Sequence, residues 1–197
     1  MNGNPLDLLS IRRGHFCYES GYHGEIWLDL DRLFLNPIRI APLAHDLAST
    51  IAPNAIEAVV GPLVGGALLA QMIAVELGVQ FTYTVPRPGP SNDTSLYPIA
   101  YRLPLTVAPL IEGKRVAIVD DVINAGSAVR ETFRSLVEAG AKPAVVGALL
   151  VLGDAAQPFL KSNGIELERL ATLPNPLWDP ANCPLCAQGI LLDDGSP

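Results

Sequence analysis

Positive charge is scarce in this chain: 13 Lys and Arg stand against 20 Asp and Glu, a net charge of -7 over 197 residues. That balance excludes a broad nucleic-acid surface, so an anionic substrate must be held by backbone amides, a metal ion and a few placed arginines. No apolar run approaches membrane-spanning length, so a hydrophobic content of 49% belongs to a globular interior and no membrane partner is expected. No basic, apolar-centred leader opens the sequence, and a cytoplasmic location is the expectation. Three cysteines do not make a disulfide framework and agree with a reducing compartment. Neither Gly-x-x-x-x-Gly-Lys-Ser/Thr nor Gly-x-Gly-x-x-Gly occurs, which removes the Walker and dinucleotide fingerprints. Internal repeats are absent, and the length predicts a single domain overall.

Chemistry concentrates between Arg115 and Thr132. The β-branched run at 116–119 ends on Asp120 and Asp121, passes through Val122 and the small-residue turn Asn124-Ala125-Gly126-Ser127, and continues as an amphipathic helix. The pattern predicts a strand, a loop and a helix N-terminus. Backbone N–H groups, a hydroxyl and the positive end of a helix dipole suit a phosphate monoester. The two carboxylates before the turn are placed to meet sugar hydroxyls or a divalent cation. A second strand, Gly-rich loop and helix recur at 55–77, where Val64, Gly65 and Gly66 are able to aim amides at another anion.

The stretch 116–127, with four apolar residues, two acids, two apolar residues and a small-residue turn, resembles the PRPP-binding signature of the type I phosphoribosyltransferases. Gly14, Phe16, Ser20 and Gly21 also match the N-terminal hairpin that forms the hood over the nucleobase in the orotate phosphoribosyltransferase branch. The resemblance implies a parallel α/β sheet with helices on both faces and a small hood. It divides the chain into a hood region at 1–40, a core at 41–173 and a Pro-rich tail at 174–197. It further implies phosphoribosyl transfer from PRPP to a nucleobase, orotate or another pyrimidine-type base, with Mg²⁺ and a homodimer. In that scheme Asp120 and Asp121 bind the ribose hydroxyls, and Mg²⁺ indirectly through PRPP. Asp121 also stabilises positive charge. Asn124, Ala125, Gly126 and Ser127 hold the 5′-phosphate, Val64, Gly65 and Gly66 face pyrophosphate, and Val122 is a further PRPP-binding residue.

Three departures accompany the match. Gly65 stands where orotate phosphoribosyltransferases usually carry Lys. The polar, Pro-rich loop at 86–98 occupies the place of the mobile catalytic lid but has none of its Lys or His, leaving Arg87 and Arg102 at its flanks and Arg87 as the candidate for charge neutralisation. No Arg follows Asp154, where that branch holds the orotate carboxylate. A non-catalytic PRPP or nucleotide sensor on the same fold is therefore the alternative expectation.

Elsewhere alternation of strand and helix predicts ligand loops at the strand C-terminal ends. A helix is expected at 42–52, buried strands at 55–60 and 144–152, and a last strand at 165–173. Cys183-Pro184-Leu185-Cys186 in the tail supplies two thiols of metal-knuckle spacing, and a structural zinc wants four ligands. Cys17, with His15 or His23 of the hairpin, is the candidate to complete it. A redox pair and two unlinked structural thiols are the other readings.

Overall fold

The computed structural model describes residues 4–30, 32–88, 96 and 98–193. After a 3-10 turn at Pro5–Leu8, β1 (Ile11–Cys17) and β2 (His23–Leu28) form the antiparallel hairpin expected around Ser20-Gly21, with a register irregularity between Arg13 and Phe16. The core follows as α1 (Pro37–Ile51), β3 (Ala58–Pro62), α2 (Gly65–Leu77), β4 (Gln80–Pro88), β5 (Ile99–Arg102), α3 (Ala108–Ile111), β6 (Arg115–Ile123), α4 (Ser127–Glu138), β7 (Lys142–Leu152), α5 (Gln157–Ser162) and β8 (Glu166–Leu173). A 3-10 turn at Pro180–Asn182 and the single-turn α6 (Pro184–Ala187) end the tail.

Six strands make one sheet in the order β5-β4-β3-β6-β7-β8. All neighbours are parallel except β4 and β5, which form an antiparallel edge with Arg87 opposite Ala100. The sheet is thus mostly parallel, and the start of the expected surface loop is strand: β4 runs on to Pro88. Residues 89–95 and Tyr97 of that loop lie outside the described residues.

Helices cover both faces because the central strands are apolar on both sides. Val59, Ala117, Val119 and Leu149 pack beneath α1 and α2, while Val60, Ile118, Val146 and Ala148 pack beneath α3, α4 and α5. The hood joins through a third cluster in which Ile26 and Leu28 meet Leu150 and Leu152. Helix α1 begins five residues before the expected start at Pro42 and runs through that proline. Pro42 lies on the exposed face of the helix, so the Ile38 carbonyl that loses its N–H partner is able to meet water.

Two contacts fix the elements around the loops. Thr84 of β4 and Thr132 of α4, both fully buried, share a hydroxyl hydrogen bond of 2.7 Å. Gly61 at the end of β3 approaches the start of α2 so closely that a Cβ there would stand 2.1 Å from the Gly66 carbonyl oxygen. Only hydrogen fits between strand and helix at that point.

Candidate active site

Because β3 and β6 are parallel neighbours, the loops after them emerge side by side at the carboxyl edge of the sheet. They form the floor of a cleft of about 980 Å³, roofed by the hood. Leu63 to Gly66 line one side and Asp120 to Ala128 the other, with Tyr18, Glu19, Ser20, Ile26 and Trp27 coming from the hairpin. The Leu63–Val64 peptide bond is cis.

Asp120 and Asp121 are 8% and 6% exposed, and burial pushes both carboxyl groups above the usual carboxylate range. For Asp120 the neighbouring Asp121 charge adds to burial. Local backbone donors limit the effect: the Asp121 N–H donates to Asp120 Oδ1 at 3.1 Å and the Val122 N–H to Asp121 Oδ1 at 3.0 Å. Two buried like charges at the base of an open cleft favour a ligand that brings positive charge. The set is oxygen-only, which fits a hard divalent cation carried in with a polyhydroxylated anion.

The glycines opposite are shaped by these acids. A Cβ on Gly65 would lie 2.1 Å from Asp121 Oδ2, and one on Gly66 would lie 2.6 Å from Asp120 Oδ1. The absence of Lys at position 65 thus has a steric counterpart, since a side chain there would displace the Asp121 carboxylate. On the other side of the cleft Gly126 adopts φ +77 and caps α4, whose first-turn N–H groups lack helical acceptors. Asn124, Ala125, Gly126 and Ser127 therefore surround one helix N-terminus at the edge of the cleft.

The remaining expectations fare unevenly. Val64, Gly65, Gly66, Asp120, Asp121, Val122, Asn124, Ala125, Gly126 and Ser127 all line the one cleft. Arg87 does not: it is exposed on β4 and is absent from the lining of its own chain's cleft. Arg102 is engaged away from the cleft, 3.5 Å from the buried Glu131 of α4, which also pairs with Arg134. Cys17 does not join the tail thiols; it is exposed at the end of β1, and the cluster near Cys183 and Cys186 is completed by His15 and His23.

The cleft also holds polar groups whose partners lie far apart in sequence. Tyr101 of β5 donates to both oxygens of Glu19 at 3.0 and 3.2 Å. Burial and the Glu19 charge hold this phenol well above its ordinary range, so it stays a donor. Ser20 Oγ is buried and has no hydrogen-bond partner among the described residues. Asn175, buried in the tail, donates to Asn124 Oδ1 at 3.1 Å and to the Tyr18 hydroxyl at 3.4 Å, linking the turn before α4 to the hood. Its one sequence signal is its place between Pro174 and Pro176, which restricts the backbone to an extended path.

A mostly parallel sheet with paired loops at its carboxyl edge, an acid pair between them and a hairpin roof defines an α/β protein with one cleft at that edge. The phosphoribosyl transferase domain family matches residues 30–167, and the chain belongs to the type I phosphoribosyltransferases as an enzyme of that class. An orotate phosphoribosyltransferase of Thermotoga maritima is 31% identical over 181 residues, covering 92% of this chain and 89% of the relative. Another from Desulforamulus reducens is 29% identical over 90% of this chain and 85% of its own length. Among solved structures, orotate phosphoribosyltransferase from Aeropyrum pernix superposes with a TM-score of 0.61 at 26% identity, covering 83% of this chain and 88% of that one. Adenine phosphoribosyltransferase from Trypanosoma brucei shares the fold, with a TM-score of 0.66 at 18% identity and coverage of 85% and 77%. Among the described residues no helix is long and apolar enough to cross a membrane.

Proposed function

We propose that this enzyme transfers the 5-phosphoribosyl group of PRPP to orotate, releasing pyrophosphate. The observation that carries this reading is the buried Asp120–Asp121 pair set between two anion-receptive loops beneath the hood. The 31% identity to a relative named orotate phosphoribosyltransferase, across nearly the whole of both chains, favours orotate as the base.

In this reading the Asn124–Ser127 turn and the α4 N-terminus receive the 5′-phosphate. Asp120 and Asp121 accept from the ribose hydroxyls. The nucleobase nitrogen forms a bond to C1 of the ribose while the bond from C1 to the pyrophosphate oxygen breaks. Positive charge grows on the ring, and the Asp121 carboxylate opposes it at short range in a site of low dielectric. Asp120 and Asp121 are the residues that would face a Mg²⁺ ion brought in with PRPP, which would supply charge neutralisation at the pyrophosphate. Amides from Val64 to Gly66 face the leaving group. The hood encloses the base, with Ser20 Oγ and the Tyr101–Glu19 pair offering fixed polar groups.

No Arg follows Asp154, and residues 153–157 do not line the cleft, so a base lacking the orotate carboxylate is the second reading. The test is one experiment: incubation with PRPP, Mg²⁺ and a panel of orotate, uracil, adenine, guanine and hypoxanthine, following pyrophosphate release. Release with orotate alone is the expected result. Release with another base moves the assignment to salvage, and PRPP binding without release from any base moves it to a sensor.

We also assign a homodimer. Leu68 and Val75, two turns apart on α2, are 41% and 77% exposed and make an apolar stripe on the outer side of that helix. Phe81 on β4, which packs against α2, is exposed as well. The exposed Arg87 on the same strand is then free to serve a neighbouring cleft.

A further inference from the structure

Four side chains that play no part in the transfer reaction converge beside the hood. His15 and His23 come from the two strands of the hairpin, and Cys183 and Cys186 from the tail, about 160 residues later; their four candidate ligand atoms all lie within 4.8 Å of one another. His15 Nε2 is 3.0 Å from His23 Nδ1 and 3.4 Å from Cys183 Sγ. Cys186 Sγ is 3.7 Å from His15 Nε2 and 3.4 Å from His23 Nδ1. With zinc bonds of about 2.0–2.1 Å to nitrogen and about 2.3 Å to sulfur, the edges of a tetrahedron are roughly 3.3 Å between nitrogens and about 3.5 Å between nitrogen and sulfur. The spacings found here are within a few tenths of an ångström of those edges.

Three further features fit a metal better than a chance cluster. His15 Nδ1 lies 2.7 Å from the Ile190 carbonyl oxygen. A carbonyl only accepts, so Nδ1 carries the proton and Nε2 presents its lone pair to the centre of the cluster; an outer carbonyl of this kind is the usual support of a zinc-bound histidine. Next, the tail is folded into a knuckle around the thiols. Cys183 caps α6, the Ala187 N–H donates to the Cys183 carbonyl at 3.1 Å, and Gly189, at φ +71, turns the chain so that its N–H reaches the Cys186 carbonyl at 2.9 Å. That turn delivers the Ile190 carbonyl beneath His15. Finally, burial is graded: His15, His23 and Cys183 are 2%, 6% and 3% exposed, whereas Cys186 is exposed and leaves a path of entry.

We propose that His15, His23, Cys183 and Cys186 bind one structural Zn²⁺ through His15 Nε2, His23 Nδ1 and the two thiolates, stapling the C-terminal tail to the hood. Two nitrogens and two sulfurs in a closed tetrahedron select zinc among the abundant divalent ions, and four protein ligands leave no position for catalysis. The staple reinforces backbone pairing already present, in which His23 and Trp178 exchange N–H donors at 2.8 and 2.9 Å and the Asp193 N–H donates to the His15 carbonyl at 2.7 Å. Binding displaces one proton from each thiol, with no change of oxidation state. The roof of the active-site cleft is then held from outside by the same tail that sends Asn175 into it.

The test uses the full, untagged chain, purified under reducing conditions and dialysed into metal-free buffer, with metal content read by inductively coupled plasma mass spectrometry. The expected result is about one zinc per chain, released by a thiol-modifying mercurial. Cys183→Ser and Cys186→Ser each lose that zinc, while Cys17→Ser keeps it. Replacement of zinc by Co²⁺ gives the intense d–d bands of tetrahedral coordination together with a thiolate-to-cobalt charge-transfer band, and this readout on the wild-type chain stands even where a cysteine variant fails to fold. A wild-type chain that carries no zinc and gives no charge-transfer band with added Co²⁺ would overturn the site. So would loss of zinc in Cys17→Ser, or a Cys183–Cys186 disulfide that persists in the reducing purification.

Discussion

At the scale of single residues, the proposed mechanism makes the acid pair set catalysis against stability. Asp120 and Asp121 sit in a site that raises both carboxyl pKa values, so in the ligand-free protein their ionisation works against folding. The sign follows from linkage. A carboxyl whose folded pKa lies above its unfolded value contributes stability that is fully present below the ordinary carboxylate pKa and is lost as pH rises through the raised value. Asp120→Asn keeps the shape and removes the charge. It is expected to stabilise the ligand-free protein near pH 7, where the wild-type carboxyl must ionise in a site that disfavours its charge. The gain should shrink as pH falls toward 4, the ordinary carboxylate range, where wild type is protonated too. Thermal unfolding of both proteins across that pH range checks the prediction, and equal stability at neutral pH contradicts it. Asp121→Asn should lose turnover by at least about a hundredfold while remaining folded, because it deletes the charge opposed to the cationic ring; circular dichroism with a pyrophosphate assay separates the two effects.

At the scale of elements, β4 and α4 are joined by the hydrogen bond between the fully buried Thr84 and Thr132. Thr132→Val leaves the Thr84 hydroxyl buried without that partner and should cost about 1–3 kcal/mol, whereas Thr84→Val with Thr132→Val should be close to neutral because no orphaned group remains. Urea unfolding of the two single variants and the double variant closes the cycle; additive losses would show that the bond contributes no coupling. This is also the scale that decides what could be read from the chain. The stretch from Arg115 to Ser127 was legible because strand, acids, turn and helix start are contiguous and their chemistry does not depend on distant partners. The Gly61–Gly66 loop was legible for the same reason. Its reason for glycine at 65 was not, since that rests on Asp121, brought alongside only by the β3–β6 pairing. Asn175 on Tyr18 and Tyr101 on Glu19 are contacts across 157 and 82 residues, and no local pattern encodes them. The same holds for the tail thiols: spacing flagged Cys183 and Cys186, but only the folded arrangement of hairpin and tail brings His15 and His23, and not Cys17, into their cluster.

At the scale of the whole molecule, the exposed α2 stripe and the position of Arg87 belong to one argument. On the proposed reading the cleft holds PRPP; among the described residues no cation of the β4–β5 edge lines it, yet Arg87 lies on the strand that borders the apolar stripe. Pairing two chains through that face lets each Arg87 act on the pyrophosphate in its neighbour's cleft. Arg87→Ala and Asp121→Asn should each be inactive as homodimers, for different reasons. Unfolded together and refolded in equal amounts, half of the dimers are mixed. Each mixed dimer has one cleft with Asp121 intact and an intact Arg87 reaching it from the partner, so the mixture should recover about a quarter of the wild-type activity. Size-exclusion chromatography with light scattering establishes the dimer, and the pyrophosphate assay on the mixture reads the recovery. A dimer whose mixture stays inactive would confine each site to one chain, and an active Arg87→Ala would remove this arginine from the reaction.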